Sequence, residues 1–392
     1  MRIAFTLIGG KKWTGGYNYL RNLLTALSKS QMNRVTSVLF VGQDVPEAEV
    51  IDFFSIPNVK VVRTPILNFS RKHELLIRSL VFGRDVYLAE LFRKHCIDVV
   101  FEAAQYFGWR LDVPAIAWMP DFQHRIFPEL FSKFMWWKRE FGFQAQVLSG
   151  RTIMLSSNDA RNDCERYYPS TKGRTSTVHF AVDVSSPIFY EEARGLADSY
   201  GLPEHFFFLP NQFWKHKNHK LVLDALSILK QRGKKIVVVC SGAQEDPRDP
   251  SYFPDFLRKI EENRLSDNIL LLGLVPYSHL IMLMRASSAL LNPSLFEGWS
   301  TTVEEARAIG TPMVLSDLSV HREQMGHSAI YFDRRSADSL ANALEGFVPM
   351  DREARSQYVA DAKKNARERF VSFARDFTIL AEQCQSRGRD ES

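Results

Sequence analysis

Residues 290–317, "LLNPSLFEGWSTTVEEARAIGTPMVLSD", pass from a short apolar run through a turn into a helical pattern and out again into a second apolar run. Ala289, Leu290 and Leu291 have the character of a buried strand, and Thr301 to Ile309 reads as a helix ended by Gly310 and Pro312. The turn between them carries Glu297, eight positions before Glu305. Ser300, Thr301 and Thr302 are cap-type residues, so free backbone N–H groups and the positive end of the helix dipole are expected above the strand end. An anion such as a diphosphate suits that place. Glu297, before the cap, can accept hydrogen bonds from hydroxyl groups beyond the anion, and Glu305, one to two turns into the helix, can take a diol. On its own the pair reads equally well as an exposed acidic helix start whose glutamates only favour the dipole.

A strand followed by a helix and another strand is the unit of a parallel, doubly wound sheet, and the whole chain repeats it. In the first half "RIAFTL", "TSVLFVG", "VKVVRTP", "DVVFEA", "AIAWM" and "TIMLSS" read as buried strands. Helical stretches separate them, such as Tyr17 to Ser28, where Leu20, Leu23, Leu24 and Leu27 share a face. In the second half "FFFLP", "KIVVVCSG", "NILLLG", "SALLNPS", "PMVLS" and "AIYFD" do the same. A chain of 392 residues exceeds what one core usually organises, so the α/β class comes with two Rossmann-like domains. The boundaries expected are 1–185 and 186–370, joined through the polar region from Asp183 to Pro203. A helix within 371–392, "VSFARDFTILAEQC", precedes a frayed tail.

Composition narrows the class further. Hydrophobic residues make up 45% and charged ones 24%, which fits an ordinary globular protein and excludes a disordered or fibrous chain. No apolar run approaches eighteen residues and "MRIAFTLIGG" leads straight into a strand, so a cytoplasmic location is expected. Cys96, Cys164, Cys240 and Cys384 are scattered, which argues against a disulfide framework or a structural zinc. The basic residues are dispersed among nearly as many acids, which argues against nucleic acid.

The stretch "FEGWSTTVEEARAIGTPMVLSDLSVHREQ" resembles, over about thirty residues, the donor-sugar motif of family-four retaining glycosyltransferases of the GT-B fold. The similarity takes in the Gly310-Thr311-Pro312 strand start and the later His321 and Glu323. It implies two domains facing a cleft, the first binding acceptor, the second a nucleotide sugar, with the last helix returning to pack on the first. Glu297, Gly298, Ser300, Thr301 and Glu305 then contact the donor. In "GGKKWTGGYNYL" the family's glycine pair matches Gly15 and Gly16, with Lys11 and Lys12 nearby. In "LPNQFWKHKNHK" Lys217 matches the family's diphosphate-binding lysine, whereas Gln212 stands where an arginine is usual; Lys215 or an arginine from elsewhere can compensate. After the strand "AIAWM", Asp121 matches the family's Asp, but Pro120 takes the histidine's position. His124 comes three residues later and is expected, with Asp121 and Arg125, in the catalytic cleft. The backbone around Leu274 and Val275 is expected to frame the base.

The activity so implied is hexosyl transfer with retention from a nucleoside diphosphate sugar, with a leaning to GDP-mannose, to a glycan or polyprenyl-linked acceptor in bacterial surface polysaccharide or lipopolysaccharide synthesis. The chain has no D-x-D pair, so neither metal nor other cofactor is expected. Residues 131–144, "FSKFMWWKREFGFQ", interleave Lys133, Lys138 and Arg139 with Phe134, Trp136, Trp137, Phe141 and Phe143. They can lie in the interface of the inner face of the cytoplasmic membrane, or equally form an inter-helix core. A non-catalytic nucleotide-sugar-binding subunit and a GT-B epimerase stay open as other functions.

Overall fold

The computed structural model describes residues 1–7, 14–30, 34–103, 105–189 and 193–390. The chain divides into two compact units. The first comprises residues 1–124, 133–183 and 369–392, and the second residues 125–132 and 184–368.

The sheet of the first unit has seven parallel strands. They are β1 (Arg2–Thr6), β2 (Thr36–Gly42), β3 (Val59–Thr64), β4 (Val99–Ala103), β5 (Ala115–Trp118), β6 (Thr152–Leu155) and β7 (Thr175–Thr177), in the order β3-β2-β1-β4-β5-β6-β7. Runs such as Ile3-Ala4-Phe5 and Val99-Val100 are fully buried because helices cover both faces, which is why these strands read as unbroken apolar runs rather than alternating ones. The strand β7, "TST", was not legible: it has no apolar residue and merely adds an edge to β6.

The second sheet has six parallel strands, β8 (Phe207–Leu209), β9 (Val238–Cys240), β10 (Ile269–Leu271), β11 (Ala289–Asn292), β12 (Met313–Ser316) and β13 (Ile330–Phe332), in the order β10-β9-β8-β11-β12-β13. Its core joins Leu209, Leu291 and Val314 of the strands to Val222, Leu226 and Leu229 of the His219–Gln231 helix. Each such side chain, fully buried, contributes about 2 kcal/mol. In both sheets the order reverses beside the first strand, between β1 and β4 and between β8 and β11. Ligands of open α/β sheets bind beyond the carboxyl ends of strands at such switch points.

The last helix corrects the sequence reading at both ends, for it runs over 39 residues from Arg352 to Asp390. Its continuation past Cys384 has a physical cause in contacts with the first unit. Arg387 donates to the Gly173 carbonyl at 3.0 Å, and a Cβ on Gly388 would meet Pro114 Cγ at 2.2 Å. Upstream, Phe377 packs on Phe5 and Phe101, and Phe373 on Tyr19 and Phe180.

Candidate functional site

The loops after β8 and β11 flank the switch point of the second sheet, and they are fastened to each other. Leu295 N donates to the His216 carbonyl at 2.8 Å, and Lys217 Nζ lies 2.7 Å from Glu297 Oε1. Lys215–Lys217 form one 3₁₀ turn, after which Asn218 takes the left-handed conformation (φ 62°) that asparagine tolerates better than most residues. Asn218 is therefore no side-chain cap for the following helix. Its Nδ2 instead donates to the carbonyls of Pro293 and Arg334, which follow β11 and β13.

Around Glu297 the polar groups form a closed set. The Ser294 hydroxyl stands 2.7 Å from both Asn292 Oδ1 and Glu297 Oε1, and its one proton serves either at a time. Burial alone would raise the Glu297 carboxyl, but Lys217, His321 and Ser294 together outweigh it and hold the carboxyl below its ordinary range. His321 is fully buried, and burial lowers its basicity. Its Nδ1 lies 2.9 Å from the Ser316 carbonyl, so that nitrogen carries the proton, while Nε2 is left without a protein partner.

The Thr301–Ile309 helix begins at Ser300 without a side-chain cap, so its first amides are open to a ligand. The Ser300 hydroxyl was expected to face that ligand. The structure turns it inward: it accepts from Asn292 Nδ2 at 3.0 Å, and the Ser300 peptide is paired with the Gln324 amide. Thr301 and Gly298 stay half-buried at the helix start. Glu305 is buried, and desolvation lifts its carboxyl to about 7 against a side-chain hydrogen bond from Tyr277, which lowers it. Leu274, after β10, is exposed, Val275 is half-buried, and both directly precede the Tyr277–Ala286 helix.

Gln212, in the position of the missing arginine, spends its side-chain carbonyl on Ala243 N at 2.6 Å. Lys215 is exposed and pairs with Asp249 at 3.2 Å. Arg248, an arginine that no motif or spacing singles out, sits closer to the site. Its Nη2 lies 3.2 Å from His216 Nδ1, its Nε contacts Asp246, and its guanidinium stands over Trp214 and Phe131. Facing that donor, His216 Nδ1 must be an acceptor; burial, then Lys217 and Arg248, keep the ring neutral.

In the first unit Gly15 and Gly16 fall in the first turn of the Thr14–Lys29 helix, Gly15 exposed and Gly16 buried, while Lys11 and Lys12 lie outside the described residues. Asp121 is partly exposed; its Oδ1 accepts from Gln123 N and from Arg139 Nη2 at 2.7 Å. Arg125 is half-buried at the start of the 125–132 segment, which groups with the second unit. His124 requires correction, because it lines no open surface. It is fully buried, its Nε2 lies 3.1 Å from Glu140 Oε2, and Glu140 also accepts from the Tyr168 hydroxyl. Trp136 and Phe143 flank the ring, and burial lowers its basicity. The apolar residues around it make it a core histidine.

Two pockets adjoin strand ends. One, of about 530 Å³ and open to solvent, follows β12 and β13 and is lined by Asp317, Arg322, Arg334 and Arg335. The other, narrow and largely apolar, follows β1, β2 and β3, with Phe40, Ile66, Leu67 and Lys72 in its walls. Among the described residues no three His, Cys, Asp or Glu side chains converge as metal ligands, and no helix is long and apolar enough to cross a membrane.

Against known proteins, residues 201–369 match the family model described as glycosyl transferases group 1. The O-antigen chain mannosyltransferase RfbU of Salmonella typhimurium is 20% identical over 225 residues, 57% of this chain and 58% of that protein. The chain thus spans less than two thirds of that relative. Two solved structures align over nearly all of it. A glycosyltransferase from Rickettsia africae superposes with a TM-score of 0.71 at 14% identity, covering 98% of this chain and 97% of that one. The Anabaena protein Alr3699/HepE, solved with UDP and glucose, gives 0.68 at 16% identity, covering 98% and 100%. At such identities these likenesses speak for the fold alone. Residues 201–369 are thus similar to the glycosyl transferases group 1, and the chain has the GT-B fold.

Proposed function

We propose that the protein is a retaining glycosyltransferase that moves a hexose from a nucleoside diphosphate sugar, without a metal, to a glycan or lipid-linked acceptor of bacterial surface polysaccharide. The observation that carries this reading is the Lys217 and Glu297 pair across the β8/β11 switch point, beside an uncapped helix start. A diphosphate above those amides would share the Lys217 ammonium, which stabilises the negative charge that grows as the sugar departs. Glu297, released from half of its pairing, would accept from sugar hydroxyls, and Glu305 from the ribose diol. The bond from the anomeric carbon to phosphate breaks on the face where the acceptor oxygen bonds, and the departing phosphate oxygen takes the acceptor's proton. Arg248 supplies the cationic neighbour that Gln212 does not.

GDP-mannose is the donor favoured, supported by the mannosyltransferase relative, while the UDP-bound neighbour makes UDP-glucose the first competitor. We place the protein at the inner face of the cytoplasmic membrane, touching it through residues 131–144. The Lys133–Leu148 helix supports this, since Phe134, Trp137 and Phe141 are exposed while Trp136 and Phe143 turn to the core around His124.

The test is a thermal-shift screen against GDP, UDP, ADP and dTDP sugars, with and without EDTA. A rise in Tm with one nucleotide class, unchanged by EDTA, supports the reading and fixes the donor. No rise with any sugar nucleotide, or one abolished by EDTA, overturns it. A rise without turnover on any lipid-linked or free glycan acceptor would favour the binding-subunit reading, which the occupied Gln212 side chain supports.

A further inference from the structure

The exposed large apolar side chains of this protein are not scattered. Among the described residues, 14 of 23 fall in three segments of the first unit, 69–87, 105–112 and 133–148, which together hold 43 residues. Single exposed apolar residues need no explanation, but concentration on this scale marks a surface that another phase or molecule covers.

The first element is the Lys72–Val81 helix. Leu76, Ile77, Leu80 and Val81 are 40% to 64% exposed and form one stripe at i, i+1, i+4 and i+5, which Phe82 extends. The second is the Lys133–Leu148 helix. Phe134, Trp137, Phe141 and Leu148 fall at i, i+3, i+7 and i+14 on another stripe, with Lys133 and Lys138 along its edges. The loop 105–111 is fastened to both. At one end Arg110 N donates to the Gly83 carbonyl at 2.7 Å, and the backbones of Gly83 and Gly108 approach so closely that a Cβ on Gly108 would meet Gly83 O at 2.1 Å. At the other, Tyr106 and Ser149 hydroxyls lie 2.6 Å apart, and Gln146 donates to the Gln105 carbonyl. The buried Arg151 and Glu102 pair holds the loop from beneath, with Arg151 also donating to the Gly108 carbonyl. Trp109, half exposed, has its ring against Gly83, just past the Lys72–Val81 helix.

We propose that the two helices and Trp109 form one docking surface for an anionic lipid bilayer. This rests on the membrane contact proposed above for one of the helices and extends it to a second, independent element. Charge identifies the occupant. The three segments carry eight Lys and Arg against four Asp and Glu, which is +4 of the chain's formal +5. All four acids are neutralised or buried: Glu74 by Arg71 and Arg78, Asp85 beside Arg78, Asp112 by Arg84, and Glu140 in the core. Lys72, Arg110, Lys133 and Lys138 have no carboxylate partner among the described residues. Aromatic and aliphatic side chains between unpaired cations match an interface where rings sit at headgroup level and lysines reach phosphates. A second copy of the chain is a poor occupant, because a self-complementary contact would set like charges against each other.

The experiment is vesicle flotation of the full chain with phosphatidylcholine alone and with equal parts of phosphatidylglycerol. Two variants accompany it, Ile77→Glu with Leu80→Glu, and Trp137→Glu with Phe141→Glu. The wild type is expected to float with the anionic vesicles and to do so less at high salt, and each variant to lose about tenfold or more in partition, as two buried apolar side chains require. Nucleotide-sugar thermal shifts retained in both variants report that they are folded. Equal binding to neutral vesicles, or an Ile77/Leu80 variant that floats like the wild type, overturns the proposal. So does self-association that both variants abolish while the wild type ignores vesicles. Failure of the wild type to respond to any nucleotide sugar would overturn the proposed function without touching the flotation result.

Discussion

Lys217 Nζ and Glu297 Oε1 lie 2.7 Å apart although 80 positions separate them, and each side chain is mostly buried, 14% and 8% exposed. Lys217→Ala strands a buried carboxylate and is expected to cost about 3 kcal/mol of stability. Since Glu297 is held below its ordinary range, its contribution is present above pH 4.5 and lost as pH falls through the folded value, so the deficit should shrink in acid. Urea unfolding at two pH values reads this. Adding Glu297→Gln to Lys217→Ala should restore part of the loss, while nucleotide-sugar affinity stays at least about tenfold down in both. A Lys217→Ala protein with unchanged stability and affinity would contradict the site.

Glu305 titrates the other way. Its folded value, about 7, lies above the ordinary 4.5, so its stabilisation is complete below about 4.5 and is lost as pH rises through 7, about 3 kcal/mol in all. A diol donating to the ionised carboxylate has to displace that proton below neutrality. Apparent donor affinity should therefore fall by up to about tenfold per pH unit below 7, with proton release on binding. Calorimetry in two buffers of different ionisation heat checks it, and Glu305→Gln should flatten the profile while weakening binding. Proton uptake would refute the assignment.

His124→Ala tests a structural role. Removing a fully buried ring bonded to Glu140 is expected to cost about 2 to 4 kcal/mol. Per folded molecule, nucleotide-sugar affinity should not change. A variant of native stability that has lost turnover would return His124 to the chemistry.

Gly310 ends the helix that carries Glu305, at φ 73°, and a Cβ there would meet Val359 Cα at 2.7 Å. Gly310→Ala is expected to cost about 2 kcal/mol or more, through left-handed strain and displacement of the neighbouring backbone. Denaturation measures the loss. A cost like that of a surface Gly→Ala change would show that the contact with the last helix is dispensable.

Twelve of the thirteen strands among the described residues were legible because parallel strands covered on both faces leave short apolar runs such as "VVF" in "DVVFEA" and "ALL" in "SALLNPS". The loop glutamates were legible because they stand at fixed spacing from a strand end and a helix start. What escaped is what side chains do after the chain closes on itself. Nothing in "PDFQHRIF" tells that His124 points inward to Glu140, sixteen residues on. Ser300 has the chemistry of a cap and is consumed by Asn292 and Gln324, one of them 24 positions away. Arg248 comes from the loop after β9 and Tyr277 from the start of the helix after β10, and no spacing in the sequence singles either out. Interleaved basic and aromatic residues flagged the segment 131–144, but only burial separated the two faces of its helix.

The Asn218 amide clasp has a bearing on how the second unit breathes. Its two donated bonds, with that of Leu295 to the His216 carbonyl, stitch the segments after β8, β11 and β13 to a single side chain. In the language of hydrogen exchange they are expected to open as one foldon. Amides of 215–218, 293–300 and 333–336 should share a single opening free energy, and Asn218→Ala should split them into segments that exchange at separate rates. Ligand entry at any one of these loops would then protect amides in all three.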